Sequence, residues 1–160
     1  MTQSQTPPMQ PALVKTIHAG IGVAILGFLD ATYLTVAHFF NVPVPCSIVN
    51  GCEIVTTSSY SVILGVPVAL LGSLYYLTLI IAFIIALEKQ NRALLRKVSL
   101  FTIAGLVASL YFVGLQLFVI HAICLYCMGS ALSSTTLFIL GLCMLKLLNK
   151  ANDTTPLASL

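Results

Sequence analysis

Four of the five cysteines in this 160-residue chain stand in two close pairs, Cys46 with Cys52 and Cys124 with Cys127. Cys124-Leu125-Tyr126-Cys127 has the C-x-x-C spacing of catalytic dithiols, in which a short loop strains the disulfide and lets one thiol be activated. The other pair is set in Pro45-Cys46-Ser47-Ile48-Val49-Asn50-Gly51-Cys52, where Asn50-Gly51 is a turn signal that can bring the two sulfurs into bonding range within a mobile segment. Two dithiols on one face of a protein suit an exchange relay, since disulfides pass between pairs by thiolate attack through a mixed disulfide. Two static bridges, or one zinc ion held by four thiolates, are the competing readings. Zinc favours C-x₂₋₄-C in both halves, which the five residues between Cys46 and Cys52 fit less well.

The elements that must position these thiols are membrane helices. Hydrophobic residues make up 59% of the chain and charged residues 7%, against roughly 25% charged in a soluble domain, and the mean hydropathy is +1.06. Seven basic and four acidic side chains cannot cover an aqueous surface, so a soluble globule is excluded. A net charge of +3 spread so thinly makes no nucleic-acid groove. Four apolar stretches, about Ile17–Phe40, Leu64–Leu87, Val98–Ile123 and Met128–Leu148, each approach or exceed the ~20 residues that cross ~30 Å of hydrocarbon as a helix. An open sheet would leave backbone polar groups unsatisfied in lipid, so the expected fold is an all-α integral membrane protein, a four-transmembrane-helix bundle. The first stretch is longer than the core of a cleavable signal peptide and is expected to stay in the mature protein. Residues 1–14, rich in Pro, Gln, Ser and Thr, and residues 149–160 read as short disordered cytoplasmic tails around one membrane domain at 15–148.

Orientation follows from charge. Lys15, Lys89, Arg92, Arg96, Lys97, Lys146 and Lys150 all fall on one side of an up-and-down topology, and the positive-inside rule makes that side cytoplasmic. Both termini then face the cytoplasm, while the connections at 41–63 and around His121–Met128 face outward, where an oxidising compartment permits disulfide chemistry. The C-x-x-C opens the fourth helix, so Cys124 and Cys127 lie near the positive end of a helix dipole, which favours thiolate.

These features together resemble the vitamin K epoxide reductase family. The resemblance rests on Cys46-x₅-Cys52, the following Thr56-Thr57-Ser58-Ser59-Tyr60-Ser61, Gly65-Val66-Pro67-Val68-Ala69-Leu70-Leu71-Gly72 at the start of the second helix, and Cys124-x-x-Cys127 before the fourth. It covers about residues 15–148. In DsbB-type quinone-linked oxidases, which do the same job, the C-x-x-C lies between the first and second helices, and here the order is reversed. The resemblance implies a membrane thiol oxidase of the bacterial inner (plasma) membrane. A reduced thioredoxin-fold, DsbA-like partner in the outer compartment would be oxidised at Cys46 by attack on a Cys46–Cys52 disulfide, Cys52 would exchange with Cys124, and Cys127 would pass two electrons to a membrane quinone such as ubiquinone or menaquinone. It also places Ser58 and Ser61 on or next to a half-helix over the quinone pocket. Glu53–Ile63 is too short to span and carries Thr56, Thr57, Ser58, Ser59 and Ser61, so it can lie across the membrane face and offer hydroxyls to a quinone carbonyl. Pro67 suits the first turn of the second helix.

Two departures sharpen the expectation. Many bacterial members carry a fused thioredoxin-like domain after the fourth helix, and here twelve residues follow Leu148, so the partner is expected to be a separate protein. Vertebrate members have Thr-Tyr-Ala after the C-x-x-C where this chain has Gly129-Ser130-Ala131-Leu132, which points to simple quinone reduction rather than epoxide chemistry.

Asp30 is the one acid inside a span, ~20 Å along the first helix and so in the outer half near the thiols. An intramembrane carboxylate is a functional candidate by default, here as a proton route for quinol formation, with a neutral hydrogen-bonded Asp as the structural alternative. His121, three residues before Cys124, reads first as a satisfied interfacial histidine, the alternative being a group that raises the Cys124 thiolate fraction, and His18 and His38 read as interface residues. Cys143 lies ~22 Å from the C-x-x-C level and reads as a packing cysteine. Small residues at four-residue spacing, such as Gly20 with Ala24 and Ala104 with Ala108, permit close helix approach. A second function class stays open, a tetraspan scaffold or metal-handling protein whose cysteines are structural; redox-active thiols that respond to reductant and quinone separate the two.

The charge asymmetry generates a topology prediction. Single-cysteine proteins bearing Cys46, Cys52, Cys124 or Cys127 should react with a membrane-impermeant maleimide from the non-cytoplasmic side only. Cytoplasmic labelling of either pair contradicts the orientation.

Overall fold

The computed structural model describes residues 9–40, 42, 44 and 51–153. Its long helices are α1 (Pro11–Phe40), α3 (Val68–Glu88), α4 (Arg92–Leu115) and α5 (Leu125–Asp153), with the short α2 (Gly51–Thr56) between the first two. Four helical segments, Pro11–Phe40, Val68–Glu88, Arg92–Ile120 and Leu125–Ala151, are long and apolar enough to cross a membrane. At 1.5 Å per residue even the shortest, with 21 residues, reaches ~31 Å. The four-helix architecture expected from hydropathy, with a short helix between the first two spans, is the one observed.

Packing is uneven. α1 lies against α3 and α5, and α4 against α5, while α3 and α4 touch more lightly. The main core contains Ile17, Ala24, Tyr76, Phe83, Leu137 and Met144. Large apolar side chains point outward all round the bundle, among them Leu26, Val107 and Leu132, as lipid in place of water requires. Close approach is bought by missing side chains: a Cβ at Gly27 would collide with the Tyr76 ring. The Tyr76 hydroxyl then donates to the Ser130 carbonyl at 2.8 Å and sits 3.1 Å from Ser130 Oγ and 3.0 Å from Ser134 Oγ, tying α3 to α5.

Several boundaries differ from those read in the sequence. α1 starts at Pro11, so residues 11–14 are helix rather than disordered tail. Pro is compatible with a first helical position, and the preceding Met9 is buried with its N–H donating to Gln90 Oε1 at 2.8 Å. α5 likewise runs on through 149–153, where Leu148 and Ala151 remain buried. The second span begins at Val68 and not Leu64, because Leu64 (φ 52°) and Gly65 (φ 82°) form the turn of a small hairpin that pairs β1 (Val62–Ile63) with β2 (Val66–Pro67). Two successive left-handed residues suit a primed hairpin turn, and the Leu there costs about 1–2 kcal/mol. Pro67 therefore caps α3 from just outside it. Cys143 is exposed on the outer surface of α5 and does not pack in the core.

The Met9–Gln90 bond and the Asn91 side chain, which accepts from the Leu94 N–H at 2.9 Å, hold the start of α1 and the α3–α4 turn at one end of the bundle. Replacing Tyr76 by Phe removes the α3–α5 hydroxyl cluster from the interior and should cost about 1 kcal/mol in reversible detergent unfolding, with Ser134→Ala costing less because Ser130 still pairs.

Candidate active site

At the opposite end from the Gln90 turn, the chain must present a C-x-x-C without leaving backbone amides bare in hydrocarbon. α4 closes with one π turn, Gln116–Ile120, and His121 follows at φ 53°. The Gln116 carbonyl accepts from the N–H of His121 and from that of Ala122 at 3.2 Å, and the buried Gln116 side chain accepts from the Cys124 N–H at 2.9 Å. A single residue thus anchors the irregular link 121–124 that carries Cys124 to the start of α5. Sequence reading that looked for ionisable groups in the spans passed over this residue. Its signal was a neutral amide in an otherwise apolar run, eight residues before Cys124.

Cys124 immediately precedes α5 and Cys127 lies in its first turn. Both thiols are unbonded, and the Cys127 N–H points to Cys124 Sγ at 3.5 Å. A hydrogen bond from the Cys127 thiol lowers the Cys124 thiol from 9.0 to about 7, helped by the N–H groups of Cys127 and Tyr126 and opposed by burial and by the Asp30 carboxylate. Tyr126 stacks at a tilt on Tyr33 of α1, with ring centroids 5.2 Å apart, and steadies the loop of the C-x-x-C.

Cys52 is held in a disulfide, is fully buried, and packs in the same small cluster as Cys124, with Leu34, Ala37, Val44 and Val55 around them and Cys127 at its edge. Cys46, the expected outer shuttle thiol, lies outside the described residues. Gly51, read in the sequence as half of a turn, instead opens α2, and any Cβ on it would collide with the Ile123 carbonyl, so α2 rests directly on the backbone just before Cys124.

Beneath α2 is a cavity of about 300 Å³, apolar for the most part, lined by residues of α1, α3, α4 and α5. Cys127, Ser58 and Ser61 line it, and Cys124 does not. The hydroxyls of Ser58 and Ser61 are spent on local carbonyls, those of Val55 at 2.7 Å and Ser58 at 2.8 Å, rather than directed as free donors into the space. Asp30, His38, Tyr75 and Gln116 also reach it. His38, expected as an interface residue, borders both this cavity and a more polar one of about 510 Å³ on the far side of the Thr56–Ser61 segment.

A membrane bundle that buries one disulfide-bonded cysteine beside a free C-x-x-C, and opens one thiol of that pair onto an apolar cavity, defines the class of membrane thiol–disulfide oxidoreductases. The sequence model of the Vitamin K epoxide reductase family matches residues 19–142, and the chain belongs to that family. Its members are integral membrane thiol–disulfide oxidoreductases linked to quinone. No curated protein matches the chain in sequence.

The Cys124 environment sets a pH prediction. A lowered thiol pKa means that thiolate is present above about 7 and lost below it, so the rate of Cys124 alkylation by iodoacetamide, followed by site-resolved mass spectrometry, should climb through about pH 7. Cys127→Ala removes the largest cause of the lowering and should move that midpoint upward by a measurable fraction of the gap to 9.0.

Proposed function

We propose that this protein oxidises a thioredoxin-fold, DsbA-like partner on the non-cytoplasmic side of the membrane and passes the electrons through Cys46–Cys52 and Cys124–Cys127 to a membrane quinone. The observation that carries the reading is the split surroundings of the C-x-x-C. Cys124 packs with Cys52, whereas Cys127 opens onto the apolar cavity.

The steps conserve bonds and electrons. A partner thiolate attacks Cys46, breaks the Cys46–Cys52 bond and releases Cys52; the partner's second thiol then displaces Cys46 and leaves oxidised. Cys52 attacks Cys124 of the oxidised C-x-x-C and releases Cys127, and Cys46 resolves the Cys52–Cys124 bond, restoring its own disulfide. Cys52 and Cys124 are both buried in one small apolar cluster, where that mixed disulfide would form. The reduced pair then closes again, giving up two electrons and two protons. A quinone, when bound, supplies the two-electron acceptor for this closure. The cavity fits its head group in size class and polarity, with an apolar wall, a thiol on one side and few polar side chains to orient it.

Cys46→Ser should abolish oxidation of a reduced thioredoxin-fold protein while quinone-dependent oxidation of dithiothreitol continues in part, and Cys127→Ser should abolish both. Normal oxidation of the protein substrate by Cys46→Ser would remove the shuttle role. In quinone-replete protein, Cys124→Ser should show a charge-transfer absorption from an unpaired Cys127 thiolate, and Cys127→Ser should not; the reverse would exchange the two roles.

A further inference from the structure

Among the described residues three buried side-chain polar atoms have no hydrogen-bond partner: Asp30 Oδ2, Thr32 Oγ1 and the Tyr75 hydroxyl. Two of these three residues, Asp30 and Tyr75, line the cavity onto which Cys127 opens. Buried polar atoms in native structures are nearly always partnered, so two orphans on one cavity wall point to a group that binds there. The neighbouring polar side chains do not fill that need. Ser58 and Ser61 donate to backbone carbonyls, and Ser130 and Ser134 are engaged with Tyr76.

The two orphan groups come from different walls. Tyr75 belongs to α3 and is wedged by its neighbours, its ring 5.3 Å from that of Tyr76 and 5.4 Å from that of Phe101, with its hydroxyl against Gly105, where any Cβ would collide with it. Such a hydroxyl cannot swing away to find another partner. Asp30 belongs to α1, and its Oδ1 lies 4.0 Å from where a Cβ on Gly129 would be, two residues beyond Cys127. Ala31 meets Gly72 of the antiparallel α3, so Tyr75 stands roughly 3 Å deeper in the bundle than Asp30. A ring with an acceptor oxygen at each end is the ligand chemistry that uses one fixed donor and one proton carrier in an otherwise apolar space.

Resting on the acceptor site proposed above, we infer that Tyr75 is the hydrogen-bond donor that holds one quinone carbonyl and that Asp30 carries the Cys127 proton to the other ring oxygen. Closure of the Cys124–Cys127 bond gives the ring two electrons. Asp30 passes it the Cys127 proton and returns to the protonation state in which it began, and the second proton, given up by Cys124 to solvent when its thiolate forms, is taken back from solvent at the oxygen held by Tyr75. Tyr75 takes the donor role that the resemblance placed at Ser58 and Ser61, and Asp30 keeps the proton route that the sequence suggests for it.

The test uses the full chain in lipid nanodiscs with endogenous quinone removed. In the Cys124→Ser background, decylubiquinone should protect Cys127 from maleimide, and Tyr75→Phe should raise the concentration needed for half protection about five- to ten-fold, the scale of one neutral hydrogen bond. Asp30→Asn should leave protection within about two-fold. With both cysteines present, it should slow single-turnover oxidation of the thiols by decylubiquinone by about 100-fold, the lower range of general acid–base catalysis, and Asp30→Glu should recover part of that rate. A readout free of quinone follows the carboxyl directly. Reduction of the C-x-x-C by dithiothreitol should give an infrared carboxyl difference band that is lost in Asp30→Asn and kept in Tyr75→Phe. Wild-type protection, rate and infrared spectrum in these variants would overturn the assignment while leaving the acceptor site in place. Failure of decylubiquinone to protect Cys127 in the Cys124→Ser parent would overturn the acceptor site and this assignment with it.

Discussion

The bond from the Cys124 N–H to the Gln116 amide is what the rest of the reactive end depends on. In hydrocarbon, a chain that leaves a helix must satisfy each freed backbone group from within the protein, because no water is there to do it. The π turn at Gln116–Ile120 frees amides at His121, Ala122 and Cys124, and Gln116 accepts from all three, two through its carbonyl and one through its side chain. That arrangement lets the C-x-x-C sit at the start of a new helix and fixes which of its sulfurs receives the helix-end N–H. Replacing the amide by a hydrocarbon side chain of similar size would leave a buried N–H bare beside the reacting sulfur.

The same placement separates two tasks that a C-x-x-C must perform with nearly identical groups. Cys124 is enclosed with Cys52, accepts hydrogen bonds and is the sulfur whose charge is stabilised. Cys127, one turn along, faces an apolar space. The asymmetry comes from position relative to the helix end and not from any difference in side chain, which is why a three-residue spacing is enough to produce it.

Much of the bundle was legible in the sequence, because a span of some 20 apolar residues can be little else. The nearness of Cys127 to Cys124 was legible for as plain a reason, since a three-residue spacing at a helix start keeps both within one turn. What was not legible was how polar groups pair locally. Ser58 and Ser61 read as free donors, yet a hydroxyl just past a short helix finds a backbone carbonyl at three residues' distance before it finds a ligand. Leu64 read as helix from its hydropathy, and a hairpin turn with Gly65 claimed it. Residues 11–14 read as tail from their neighbours' composition, and one long-range bond between Met9 and Gln90 accompanies their helix. Tyr75 looked like an ordinary membrane aromatic, since only Gly105 on another helix shows that its hydroxyl is trapped.

Gly51 carries a consequence for how the two cysteine pairs can move. Between most packed elements there is a layer of side chains that can change rotamer and so act as a cushion. At Gly51 there is none, and the main chain of α2 meets the main chain at Ile123. The spacing of Cys52 from Cys124 is therefore set at this point by main-chain contact, and a single methyl group at position 51 would reset it.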